Sequence, residues 1–169
     1  CRLLETRPLY AGTTWTGVFG PPRINANQTR TLPVAGGGRC NIPATAKAFV
    51  LNVTVDTVEE NTGPVDTVTI FPTGTTRPPF RTISTTTGGY IANSAIVQAG
   101  INGSVDIYAS QSAHVLIDIN GYFTDDAGAQ GLLFYPYGPC RAVDTRDVYN
   151  TLPDPYGHRR MHSRETRTF

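Results

Sequence analysis

Residues able to do acid–base or nucleophilic chemistry are few in this chain, and their spacing forms none of the usual catalytic arrangements. The histidines are His114, His158 and His162. His114 falls at an outward position of a strand-like stretch, and the other two lie in an Arg-rich tail. No H-E-x-x-H, G-x-S-x-G or phosphate loop occurs. Gly36-Gly37-Gly38 has no following Lys-Ser/Thr and no helix pattern, so it reads as a turn. Enzymatic function is therefore not expected. Asp106 and Asp118 both point away from the expected core on strands that would be neighbours. With Asp125 and Asp126 they form a candidate Ca²⁺ site, although such carboxylates ordinarily pair with Arg or stay solvated. No other metal or cofactor is expected. Glu5 with Arg7, and Asp144 with Arg146, are spaced to form ion pairs that fix a turn, a structural use.

The cysteines are Cys1, Cys40 and Cys140. They fit no zinc pattern and include no C-x-x-C. An odd count in a secreted chain points to an intermolecular bond or a free thiol. Three N-x-[S/T] sequons begin at Asn27, Asn52 and Asn102. Asn52 lies opposite the core side of its strand, as a glycan site requires. A Thr-rich stretch includes Thr75, Thr76, Thr85 and Thr86, with Pro72, Pro78 and Pro79 close by. That composition suits covalent O-glycans, and equally suits a solvated β face.

These residues need a scaffold, and the scaffold reads as all-β. Residues 49–55 alternate, with Phe49, Leu51, Val53 and Val55 on one face and Asn52 and Thr54 on the other. Residues 104–108 put Val105 and Ile107 inward, and residues 114–119 do the same with Val115, Ile117 and Ile119. Residues 28–34, 67–71, 80–86 and 90–99 complete the set. Short strands separated by Gly/Pro/Asn turns imply a β-sandwich or jelly-roll-like module. No 3.6-residue apolar stripe of useful length appears. Charged residues make up 16% of the chain and the net charge is +1, with Lys47 the only lysine. That balance argues against nucleic-acid binding. No apolar run approaches the roughly 18 residues of a membrane span. A chain starting at Cys1 rather than Met is expected to be a mature product or a piece of something longer.

The chain also repeats itself. Cys1-Arg2-Leu3-Leu4-Glu5-Thr6-Arg7 recurs as Cys140-Arg141-Ala142-Val143-Asp144-Thr145-Arg146, and residues 28–32 resemble 165–169. The expected organisation is a module over 1–126 and, over 127–169, a linker plus the opening of a second repeat. That opening has no second set of core strands to pack on, so it is expected to dock on a neighbouring copy. Strand complementation would do this, through an assembly segment containing Cys140, Arg141, Val143, Asp144, Arg146, Arg167 and Phe169. The alternative is a longer repeat protein cut at an arbitrary point, with the tail docked on its own domain.

The blocks Cys-Arg-x-x-[Asp/Glu]-Thr-Arg, Ile42-Pro43-Ala44-Thr45-Ala46-Lys47-Ala48, Leu51-Asn52-Val53-Thr54-Val55 and Asp118-Ile119-Asn120-Gly121-Tyr122-Phe123 together carry a resemblance. They resemble the β-rich tandem repeat modules of secreted and cell-surface bacterial proteins, and the tandem-β-motif subunits of extracellular bacterial filaments. The resemblance implies a scaffold or filament role at the cell surface, with copies of the chain as partners. It also implies a Cys1–Cys40 disulfide, and leaves Cys140 to pair with Cys40 or Cys1 of a neighbouring copy or to stay free. The other function class is a cell-surface adhesin or carbohydrate-binding module, with Tyr10, Trp15 and Phe19 as candidate sugar-stacking aromatics.

Overall fold

In the computed structural model, the described residues are 1–8, 14–58, 63–125, 142–145, 152–153, 156–157 and 160–168. The chain divides into two units, Cys1–Gly128 and Ala129–Phe169.

The first unit is all-β. Its strands are β1 (Arg2–Glu5), β2 (Gln28–Pro33), β3 (Ala46–Asp56), β4 (Val65–Pro72), β5 (Ile83–Thr85), β6 (Tyr90–Gln98), β7 (Ser104–Ala109) and β8 (His114–Thr124). They form two four-stranded antiparallel sheets, ordered β1-β8-β3-β6 and β2-β7-β4-β5. The side chains with period-2 spacing line the space between the sheets. Phe49, Leu51, Val53, Val115 and Ile117 of one sheet, with Leu32, Val68, Val105 and Ile107 of the other, belong to one buried apolar cluster. Opposing apolar faces of this kind make a β-sandwich. Among the described residues no helix is long and apolar enough to cross a membrane.

Turn residues close the sandwich where the backbone must reverse. Gly103, at φ +67°, offers its carbonyl to the N–H groups of both Val34 and Ala35. A Cβ there would lie 2.7 Å from the Ala35 Cβ, so only glycine fits. The Gly36-Gly37-Gly38 run is a bend, as its composition implies.

Two elements differ from the sequence pattern. Residues 80–86 yield only the three-residue β5, because side chains take the place of ladder bonds before it: Ile70 N–H donates to the Thr82 hydroxyl at 2.9 Å and the Thr69 hydroxyl to the Phe80 carbonyl at 3.1 Å; Phe80 lies outside the strand, 67% exposed. Residues 2–5 form a strand with no alternation to announce it. A register shift between Arg2 and Leu4 turns both Leu3 and Leu4 inward, and both are fully buried.

Candidate assembly site

The first copy of the repeated heptad is the segment that docks β1 onto the sandwich, and its polar residues each have a defined role. Cys1 bonds Cys40, with an S–S distance of 2.05 Å. That bond was expected. It occupies both thiols, so a bond from Cys140 to Cys1 or Cys40 of a neighbour would require the intrachain bond to open. Cys140 itself lies outside the described residues, as do Arg141, Arg146 and Phe169.

The Cys1 nitrogen donates to the Ile119 carbonyl at 3.0 Å, and Ile119 N–H donates back to the Cys1 carbonyl at 2.8 Å. Arg2 grips Asp118 with two bonds, Nε to Oδ1 at 2.6 Å and Nη2 to Oδ2 at 3.2 Å. Such a fork fixes register as well as charge. Arg2 Nη1 also reaches Glu5 Oε2 at 2.6 Å. Arg7 approaches Glu5 from the other side, Nε to Oε1 at 2.7 Å and Nη2 to Oε2 at 2.8 Å, and its Nη1 lies 3.5 Å from Asp56 Oδ2. Glu5 and Asp56 are both buried. Burial alone would raise the Glu5 carboxyl, but the hydrogen bonds and charge of Arg7, with the charge of Arg2, hold it below the usual carboxylate range. The same bond to Glu5 pushes the Arg7 guanidinium up.

Thr6 ties the segment to the start of β8. Its Oγ1 accepts from the Val115 N–H at 2.8 Å, and its carbonyl lies 2.9 Å from His114 Nδ1. A carbonyl only accepts, so Nδ1 carries the proton. His114 is therefore buried, not on an open outward face: its position in β8 has outward parity, but the Thr6 backbone crosses over it. This is a correction to the sequence reading.

The second copy keeps Cys, Arg, Thr and Arg at the corresponding positions, with Asp for Glu. Within the second unit, Asp144 is buried and forms a parallel bridge with Gly157, its N–H donating to the Tyr156 carbonyl at 3.0 Å. Val143 is exposed. Arg167 Nη2 donates to Glu165 Oε1 at 3.0 Å. Its counterpart Arg30 works differently, bonding the backbone carbonyls of Gly20 at 2.8 Å and of Pro22 and Arg23, and burial lowers its pKa. Residues 165–168 form no strand, whereas residues 28–32 lie in β2.

The carboxylates proposed for Ca²⁺ do not converge, which corrects that reading. Asp106 sits on β7 and accepts from Thr31 Oγ1 at 2.7 Å and Thr73 Oγ1 at 2.9 Å. Asp118 sits on β8 in the other sheet, held by Arg2. Asp125 lies 3.5 Å from Lys47 Nζ, and Asp126 is outside the described residues. Among the described residues no three His, Cys, Asp or Glu side chains are grouped to hold a metal.

Asn27 and Asn102 occupy exposed turns at φ 60° and 55°, a region asparagine tolerates well. Asn27 Oδ1 accepts from the Tyr108 hydroxyl at 2.9 Å. Asn52 is half-buried on the outer face of β3, between Ser94 and Asp118. Thr75, Thr76 and Thr86 are exposed. Thr85 is only 4% exposed and turns its hydroxyl to the Gly88 carbonyl at 3.4 Å, so it is removed from the candidate glycan sites. Of the candidate sugar-stacking aromatics, Trp15 lies under the Arg39 guanidinium, 3.8 Å from its ring, Phe19 packs on the core, and Tyr10 lies outside the described residues.

Comparison with protein families, with curated proteins and with solved structures finds no match to this chain.

Proposed function

We propose that the chain is a structural subunit or repeat of an extracellular filament or surface array, joined head to tail by β-strand complementation. One observation carries this reading. The heptad at 1–7 is a strand-docking segment, and the chain holds a second copy of it at 140–146. A module that has already filled its own docking position, yet carries a spare docking segment, is built to engage another module. A head-to-tail contact that does not close gives a filament. The Cys1–Cys40 disulfide supports an oxidising compartment such as the cell exterior.

The test compares the full chain with a chain ending at residue 126, by sizing chromatography and negative-stain microscopy. The shorter chain keeps all the strands of both sheets. The full chain is expected to form polymers and the shorter one to stay monomeric. If both are monomeric, the tail is no connector and this reading is abandoned. A monomer that binds a glycan array would instead favour the adhesin reading.

A further inference from the structure

A two-sheet sandwich has four edge strands, and each unpaired edge can recruit a strand from another chain unless it is blunted. Three of the four edges here are blunted. β1 has four residues, two of them charged, and Cys40 Sγ lies 3.6 Å from the Arg2 carbonyl. β2 carries Arg30 and ends at Pro33. β5 is three residues long. The exception is β6, nine residues reading Tyr-Ile-Ala-Asn-Ser-Ala-Ile-Val-Gln, with no charge, no proline and no glycine.

The register shows which β6 groups are left over. β3 and β6 pair from Ala48↔Gln98 to Asp56↔Tyr90. Ala99 N–H donates to the Lys47 carbonyl at 2.8 Å, and Thr57 N–H to the Gly89 carbonyl at 3.2 Å, so the odd-numbered residues of β6 bond β3. Antiparallel alternation then sends the N–H and C=O groups of Ala92, Ser94, Ile96 and Gln98 out from the edge. All four residues are exposed, Ile96 by 60%.

The second unit holds a short bridged segment. Asp144 spends its backbone on the bridge to Gly157. Extended backbone alternates, so the polar groups of Val143 and Thr145 face the opposite side. This segment cannot take the β1 position on a neighbour's β8. That position is filled, and the disulfide ties its occupant to Cys40.

We propose that residues 142–145 of one copy add as a strand to the β6 edge of the next, extending the sheet β1-β8-β3-β6 by one strand at each junction. This rests on the reading that the tail joins copies, and it names the surface the tail joins.

The test uses the full chain with Ile96→Lys, Ser94→Pro and, as a control on another edge, Gln28→Lys. Ser94 N–H faces outward, so proline there leaves the β3 ladder intact. Ile96→Lys and Ser94→Pro are expected to abolish polymers while the melting temperature stays within ~3 °C of the parent. Gln28→Lys should polymerise normally. On assembly of the parent chain, amide exchange at Ala92, Ser94, Ile96 and Gln98 should slow at least ~10-fold. If both β6 variants polymerise like the parent, or these amides exchange unchanged, the acceptor edge lies elsewhere and the tail reading survives. If the chain ending at residue 126 forms closed dimers with these amides protected, β6 pairs with its own copy and the proposal is overturned. A parent chain that does not assemble removes the tail reading, and this proposal with it.

Discussion

Removing the Cys1–Cys40 bond is expected to destabilise the first unit by about 4 kcal/mol, the loop-closure value for cysteines 39 residues apart. The bond confines the unfolded chain, and it also ties the start of β1 to Cys40. β1 has only four residues. Its polar link to β8, Arg2 to Asp118, is about one-third exposed on both sides and adds little on its own. What β1 contributes is Leu3 and Leu4, both fully buried. Detaching it uncovers apolar area worth roughly 1.5–3 kcal/mol per side chain. The measurement is urea unfolding of the chain with and without reductant, and of the Cys1→Ala, Cys40→Ala double variant, which leaves no unpaired thiol in this unit. A shift below about 1 kcal/mol would mean that burial of the two leucines holds β1 unaided. In that case β1 keeps its own docking position filled without the covalent tie, and the disulfide is not what closes that position to a neighbour's segment.

The sequence displays these features unequally. The long strands were legible because each has one buried face: Phe49, Leu51, Val53 and Val55 keep strict period 2, and so do Val115, Ile117 and Ile119. β1 was not legible as a strand, since its register shift puts two successive leucines inward. The Glu5–Arg7 pair was legible from its spacing and the structure forms it, but the contacts of Arg2 with Asp118 and of Thr6 with Val115 were not. Parity also misled where coverage is non-local. His114 stands on outward parity, yet Thr6, more than a hundred residues away, covers it. Asp106 and Asp118 share outward parity but belong to different sheets, and strand order between sheets is not written in any strand's own alternation. Thr85 looked like its threonine neighbours. Its burial follows from a position in the short β5 rather than in the loop.

The Glu5–Arg7–Asp56 cluster gives the second large effect, and its sign depends on pH. Arg7→Met keeps much of the side-chain volume and removes the charge between two buried carboxylates. Breaking a buried pair from one side leaves uncompensated charge and costs about 3–5 kcal/mol. In the parent chain Glu5 has a folded-state pKa below its unfolded value. Its contribution to stability is therefore present above the unfolded pKa and lost as pH falls through the lower, folded one. In Arg7→Met the opposing effect, burial, loses its main counterweight, so Glu5 takes up a proton more readily in the folded state. The deficit of the variant should be largest near neutral pH and shrink as pH falls below about 4, where carboxylates protonate in both chains. Adding Glu5→Gln to Arg7→Met should recover part of the neutral-pH loss, because the amide needs no counter-charge. Urea midpoints of the parent, single and double variants at neutral and acid pH measure all three statements. A deficit that stays constant with pH, or no recovery in the double variant, would show that Arg7 acts through packing of its stem instead of through its charge. The Asp144–Arg146 spacing would then lose its standing as a second electrostatic clasp and remain only a likeness of sequence.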